Sequence, residues 1–592
     1  MNHLNHPHNI PPGILFLTCR NPKTTAVRIL AQSLQRFWAV GILFTLGLAG
    51  PLSMSQPAIA TPIPIPQPKS EAFEALEDVD YWTSLCRLQT NAGVFDKALE
   101  ACEQAIALEP EDANLWAMRS NILLYLQNYP DAIASADRAI RFDEEHSLAI
   151  TYRCIGYAAL DNNEAALDAC NEALRTNGNW GGMSPALAWL NRGVILSQAG
   201  QLEQAAIAFE RTLLIEPTDS LALAYQCRTL IDLGQAQTAL ASCEAALAGN
   251  GRWGTESEAM AWAEQGRAYE QLRNYQRAIA AYDQAIRINP NSAITWAEQG
   301  RVLQQLSRYE EALTSFTRAT ELDATYSLAH LGRCAALNRL NQYEPALEAC
   351  NLALQGDGRW GELGLAEALD QRSVALTGQG KYEDALASVN RAVGIVPDYA
   401  EAHNHRAGIL WYLERYSEAL SANRRALELN PNDVLAWLNR GVIFRSMQRY
   451  TEALEAYDQG LEIAPYDEAL WANRSVVLWH LQRYQEAVAA ADQAIAINAN
   501  SAQSWYNRAT ALSALNRLGE ALAAYNRVVE LNPQNSEALT AQGLVLIRLS
   551  RYPEAIASLQ AAIAINPAQP LAQQNLEAAQ QLLQRSQTQK QP

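Results

Sequence analysis

The 592-residue chain is poor in the groups that chemistry usually needs. Beyond residue 60 it has five histidines: His146, His330, His403, His405 and His480. His403 and His405 lie two apart, a spacing that does not put them on one helix face. No metal-ligating or nucleophilic constellation emerges, so the sequence predicts no metal and no cofactor. Positive charge is also short, with 45 Lys and Arg against 63 Asp and Glu and a formal net charge of −18. That balance excludes the basic footprint that nucleic acid requires and opposes anionic lipid headgroups. The apolar run from Phe37 to Gly50 is shorter than the ~20 residues that span a bilayer comfortably. Cysteine is scarce, with nine in all.

Eight of the nine fall into four pairs, each sixteen residues apart: Cys86 with Cys102, Cys154 with Cys170, Cys227 with Cys243, and Cys334 with Cys350. Only Cys19 stands outside. Pairing without stragglers predicts disulfides and an oxidising compartment. Buried free thiols would not pair so regularly, and two thiolates without nearby histidines make a poor zinc site.

The regular spacing implies a repeat. Tyr450-Thr-Glu-Ala-Leu-Glu-Ala-Tyr457 recurs as Tyr275-Gln-Arg-Ala-Ile-Ala-Ala-Tyr282 and as Tyr309-Glu-Glu-Ala-Leu-Thr-Ser-Phe316. Its alanine marks 14 units from Ala98 to Ala555, with steps of 34 residues except for three of 39, after Ala166, Ala239 and Ala346. With that alanine at position 20, position 4 is often Trp (Trp82, Trp116, Trp189, Trp262, Trp296, Trp437, Trp471, Trp505). Position 8 is small, as at Gly193, Gly266 and Gly441, and position 32 is often Pro, as at Pro110, Pro290 and Pro431. This period and pattern resemble the tetratricopeptide repeat. The resemblance implies an all-α fold, a right-handed superhelical solenoid of antiparallel helix pairs, because one hairpin cannot bury its apolar face alone. The cysteines occupy positions 8 and 24, the small and large halves of one inter-helix contact, where a bridge is geometrically reasonable. Position 7 departs from the family's usual leucine and is Arg or Gln in most units (Arg119, Arg192, Arg440, Arg474, Arg508). Pairing with a polar residue at position 25, such as Asp137, Asp458 or Asp492, is the expected reason.

Residues 1–60 carry Arg20, Lys23, Arg28 and Arg36 and no acid, then the short apolar run and Ala58-Ile59-Ala60. They predict a signal peptide, or a membrane anchor if uncleaved. Its removal deepens the net negative charge by four. Residues 61–78 read as a Pro-rich spacer, 79–569 as a solenoid of 14 repeats with three five-residue insertions, and 570–592 as a capping helix and polar tail. No catalytic domain has room to fold beside them.

Gly249-Asn-Gly-Arg-Trp-Gly254 and Gly356-Asp-Gly-Arg-Trp-Gly361 imitate a dinucleotide fingerprint but lack its preceding strand. Left-handed helix caps are the expected role. They belong to the long insertions, which follow Cys170, Cys243 and Cys350 and place Trp180, Trp253 and Trp360 before the added residues. The same repeats open as Ser147-Leu-Ala, Ser220-Leu-Ala and Ser327-Leu-Ala. A widened turn is expected there, and a partner-binding loop is the alternative.

The functional expectation is a non-enzymatic scaffold that binds peptides or partner proteins in an exported compartment, the periplasm or a comparable lumen. Secretion or membrane anchoring are alternatives for its location. An enzyme acting on envelope substrates is the alternative function. The resemblance implies that first helices line the binding surface and that positions 12 and 13 face it. Most repeats put small or polar residues there, whereas repeats 10 and 12 put Trp411, Tyr412, Trp479 and His480. Asn439, Asn473 and Asn507 at position 6, with Tyr506 beside the last, resemble the asparagine ladder of the O-linked N-acetylglucosamine transferase superhelix. An amide can both donate to and accept from a peptide backbone. These eight residues are the expected partner site.

Overall fold

The computed structural model describes residues 78–254, 256–360 and 363–588. The signal segment 1–60, Cys19, the spacer apart from Asp78, and the last four residues lie outside them. Among the described residues there are 29 helices and no strand. They form two compact units, one ending at Leu322 and the other beginning at Asp323. Within each, first and second helices of every repeat pack as antiparallel neighbours, and each second helix leads onto the next first helix. The C-terminal segment forms a last helix, Pro570–Thr588, packed on the pair before it.

The local chemistry of one repeat explains the hairpin. First helices open on side-chain caps, as where Asp112, Asp219, Asp467 and Ser501 accept backbone N–H bonds. They close on a left-handed residue at position 15 in all 14 repeats. Four are glycines, Gly93, Gly200, Gly234 and Gly380, with φ between 73° and 75°; ten are not, from Gln127 to Ser550, with φ between 56° and 59°. The position 16 N–H then bonds the position 11 carbonyl, as Asn128 to Leu123 at 2.9 Å and Arg449 to Phe444 at 2.9 Å. This is the Schellman closure, which turns the chain without leaving carbonyls bare.

The two helices meet where position 8 faces position 24. A Cβ added to Gly193, Gly266 or Gly441 would lie 2.2–2.7 Å from the ring of Phe209, Tyr282 or Tyr457. The position 20 alanines beside this contact are all fully buried. In repeats 1, 3, 5 and 8 the contact is a disulfide, with Cα atoms 5.1–5.3 Å apart and all eight sulfurs on fully buried residues.

Successive repeats are bonded through two further position pairs. The indole of a position 4 Trp donates to the position 32 carbonyl of the preceding repeat: Trp116 to Pro110, Trp296 to Pro290, Trp437 to Pro431 and Trp471 to Pro465, at 2.8–3.0 Å. His330 and His403 occupy the same place, with Nε2 at 3.0 and 2.9 Å from Ala324 O and Pro397 O. Two of the five histidines are thus structural stand-ins for tryptophan. Position 7 bonds position 25 of the preceding repeat: Arg153–Asp137, Arg474–Asp458 and Arg508–Asp492 at 3.3, 2.7 and 2.6 Å. The guanidiniums of Arg474 and Arg508 also cover the indoles of Trp471 and Trp505. In repeat 11 the pattern fails, because Arg440 has Arg424 at position 25. Burial and the positive charges of Arg424 and Arg449 lower the Arg440 pKa.

The insertions form one structure three times. The backbone N–H of Gly178, Gly251 and Gly358 donates to the hydroxyl of Ser147, Ser220 and Ser327 at 2.9–3.1 Å. The opening serine and the added loop travel together because one holds the other. Trp180, Trp253 and Trp360 pack partly buried against their repeats' cores, which supports the widened-turn reading. One expectation needs correcting. The left-handed glycines of these strings are Gly251, Gly254 and Gly358, which lie beyond the helix ends, whereas Gly356 is extended at the helix end. A Cβ on Gly249 or Gly356 would instead lie 2.7 or 2.4 Å from the carbonyl oxygen of Thr218 or Thr325, so close approach is what demands glycine there.

Candidate functional site

The expected site residues all lie in the unit beginning at Asp323, on the first helices Ala400–Tyr412, Val434–Ser446, Glu468–His480 and Ala502–Ala514. These helices touch one another in sequence. The C-terminal turn of each carries positions 12 and 13, giving Trp411-Tyr412, Arg445-Ser446, Trp479-His480 and Ser513-Ala514. The structure joins the first three pairs. Trp411 Nε1 donates to Ser446 Oγ at 2.8 Å, and the Arg445 charge acts on His480. Trp479 meets His480 edge-on, with ring centroids 5.1 Å apart. Trp411, Tyr412, Trp479 and Tyr506 are half-buried and His480 is exposed. The result is an aromatic stripe interrupted by one arginine and one serine.

The second helices hold the stripe from behind. Tyr382 stacks on Tyr412 at 4.7 Å and Tyr450 on His480 at 4.4 Å, while Tyr525 meets Tyr506 edge-on at 5.7 Å. Burial, with Tyr382 and Tyr343 nearby, pushes the Tyr412 hydroxyl up to about 12. Partial desolvation of the His480 ring, covered on one face by Tyr450, together with the Arg445 charge, lowers its pKa. The indole N–H of Trp479 is buried and has no hydrogen-bond partner among the described residues.

The asparagines are placed differently from the aromatics. Asn439, Asn473 and Asn507 are buried, and each amide nitrogen is already committed: Asn439 to Asn404 Oδ1 at 2.9 Å, Asn473 to Ala469 O at 2.8 Å, and Asn507 to Ala472 O at 3.0 Å. Asn507 Oδ1 also accepts from Gln503. The Asn439 and Asn507 bonds tie neighbouring first helices, whereas Asn473 bonds back within its own helix.

Sequence reading missed the polar cluster at the head of the same row. Asp370, fully buried, receives His405 Nδ1 at 2.8 and 3.0 Å and lies 3.5 Å from the Tyr399 hydroxyl. Burial pulls the His405 imidazolium down, but the charge and hydrogen bond of Asp370 more than offset it, and its pKa is raised. Burial and the charges of Asp370 and Glu401 raise Glu367. The available signal was an aspartate at position 5, where most repeats have an apolar residue. Among the described residues no group of three or more His, Cys, Asp or Glu could hold a metal. No described helix is long and apolar enough to cross a membrane.

Comparison with known proteins agrees with this architecture. Tetratricopeptide-repeat family models match residues 87–146, 156–220, 298–359, 371–433, 406–468 and 506–570, and others match 259–292, 281–314 and 469–501. The chain is 25% identical over 231 residues to Superkiller complex protein 3 of Mus musculus, an alignment covering 37% of this chain and 14% of that protein. The chain therefore spans about a seventh of that relative's length. Similar solved structures include the APC/C hetero-tetramer Cut9–Hcn1, at 17% identity and TM-score 0.40, covering 86% of this chain and 98% of that one. Another is YrrB, described as a TPR protein with an unusual peptide-binding site, at 22% identity and TM-score 0.28, covering 31% and 96%.

Proposed function

Because the chain belongs to the tetratricopeptide-repeat family, we propose that it is a non-catalytic scaffold that holds an extended segment of a partner protein along the first helices of repeats 10–13. The observation that carries this reading is the aromatic stripe. Trp411, Tyr412, Trp479 and His480 replace the small or polar side chains that most repeats place at positions 12 and 13, and bonds within the scaffold fix their rings. Rigid aromatics supply contact area at little entropic cost. Tyr506 extends the stripe, and Asn439 and Asn507 bond its first helices to their neighbours, with Asn473 between them. We place this work in an exported, oxidising compartment, the periplasm or a similar lumen, on the strength of the four disulfides.

The test replaces Tyr412 or Trp479 with a photo-crosslinking amino acid in the native compartment, with Glu462 on a second helix as control. One partner should be recovered from the groove positions and not from the control. Combined Trp411→Ala, Trp479→Ala and Tyr506→Ala should abolish capture while helical content stays nearly unchanged. Capture equal to wild type, or recovery of the same protein from Glu462, would place the site elsewhere.

A further inference from the structure

Positions 3 and 10 of a first helix pack on the second helix of the preceding repeat. A Cβ added to Gly156, at position 10, would lie 2.7 Å from Ile133, and one added to Gly460 would lie 2.9 Å from Leu470, at position 3. Both positions are buried in repeats 2–14, from Leu115 and Ile122 to Ala538 and Val545. On the last helix their counterparts Ala572 and Ala579 are buried too. In repeat 1 they are Tyr81 and Leu88, 47% and 65% exposed. Between them at position 7 stands Leu85, where each later repeat has Arg or Gln. The front face of repeat 1 is therefore open and apolar.

The same face carries an unmet hydrogen bond. Position 4 side chains donate to the carbonyl six residues earlier, as Trp116, Trp437 and Trp505 do to Pro110, Pro431 and Ala499 at 2.8–3.0 Å. Gln573, in the same place on the last helix, donates to Pro567 at 2.8 Å. Trp82 holds position 4 of repeat 1, and its Nε1 is buried with no partner among the described residues. Six residues earlier is Leu76, which lies outside them.

Leu76 belongs to Ser70-Glu-Ala-Phe-Glu-Ala-Leu-Glu77, which leads directly into Asp78. At helical spacing Ala72, Phe73, Ala75 and Leu76 share one side, with Glu71, Glu74 and Glu77 on the other. Eight residues reach about 12 Å as a helix, and Leu85 lies about 10 Å along the first helix from Asp78.

We propose that residues 70–77 of this chain fold back on repeat 1 and close its front seam, with the Leu76 carbonyl accepting from Trp82 Nε1 and Phe73 and Leu76 covering Tyr81 and Leu85. The segment takes the place that a second helix fills at every later seam. Its tether to Asp78 holds it beside the face at high effective concentration, an advantage no separate molecule has. The array is then closed by its own chain at both ends, with Pro570–Thr588 at the other.

Two measurements on the full chain test this. A photo-crosslinking amino acid in place of Tyr81 should link to residues 70–77 of the same molecule. A link to a second copy or to another protein, or no link, overturns the proposal. In hydrogen exchange, residues 70–77 should exchange about tenfold more slowly than an unstructured chain, or slower still. Phe73→Asp with Leu76→Asp should abolish that protection and lower it in Val79–Asn91, leaving repeats 9–14 unchanged. Trp82→Phe keeps a ring but removes the donor, and should speed exchange of residues 70–77 by about two- to tenfold. Unprotected residues 70–77 in the wild-type protein, or unchanged protection in either variant, overturns the proposal.

Discussion

Asp370 is a fully buried carboxylate whose nearest cation is a titratable ring, and that choice makes stability depend on pH. The His405 pKa is raised above its ordinary 6.5, so its stabilising contribution is complete below that value and is lost as pH rises through the folded-state pKa. Glu401 raises it further and Arg339 opposes it. Melting temperature should therefore fall between pH 6.5 and the raised folded-state value. His405→Gln should melt lower at pH 6 and lose that slope, and a slope that survives the substitution would assign it to other groups. A second residue prediction concerns Arg440. Arg424→Asp would recreate the pair that Arg474 makes with Asp458 and should raise stability by about 0.2–1 kcal/mol, read as a small upward shift in thermal melting. The sequence shows both arginines, but their confrontation comes from two repeats and emerges only once position 7 is known to face the preceding repeat.

At the scale of the element, the position 8 and 24 contact can be built as glycine with an aromatic or as a disulfide. Cys227→Gly with Cys243→Tyr should fold, since Gly266 with Tyr282 and Gly441 with Tyr457 already use that fit. Cys243→Tyr alone should be worse, losing about 3 kcal/mol of cross-link and forcing the ring against Cys227, an overpacking that costs about 1–3 kcal/mol more. Chemical denaturation of the two variants decides it. The hairpin was legible because periodic alanines, glycines and prolines mark the helices and their limits. The left-handed residue at position 15 was less so, because ten repeats place Gln, Asp, Arg, Ser, Asn or Glu there, and neighbouring helices hold a conformation that local preference would not choose. The aromatic stripe was visible as unusual residues at positions 12 and 13. Its fixation by Ser446, Tyr382 and Tyr450 was hidden, because those partners lie about 30 residues or more away along the chain.

For the whole molecule, stability in a repeat array is a sum of repeat and neighbour terms, and here the cross-links are unevenly spread. Repeats 1, 3 and 5, in the unit ending at Leu322, carry three disulfides, and repeat 8 carries the fourth. Reduction should loosen the array locally. Hydrogen exchange in strong reductant should show protection falling in repeats 1–5 and 8 and persisting in repeats 9–14, where the proposed stripe lies. Uniform loss across all repeats would mean that the array unfolds as one cooperative block.

The bonds from Trp116 to Pro110 and from Arg474 to Asp458 each join the end of one repeat to the start of the next. Repeat order is therefore a specification written at the seams. Exchanging two repeats of equal length would leave every hairpin intact, and any position 32 carbonyl could still accept an indole N–H, yet side-chain pairs would be mismatched, with arginines set against arginines. The array can lengthen by copying a matched run, while free shuffling would leave a scar at each mismatched seam, and Arg424 facing Arg440 has the form of such a scar.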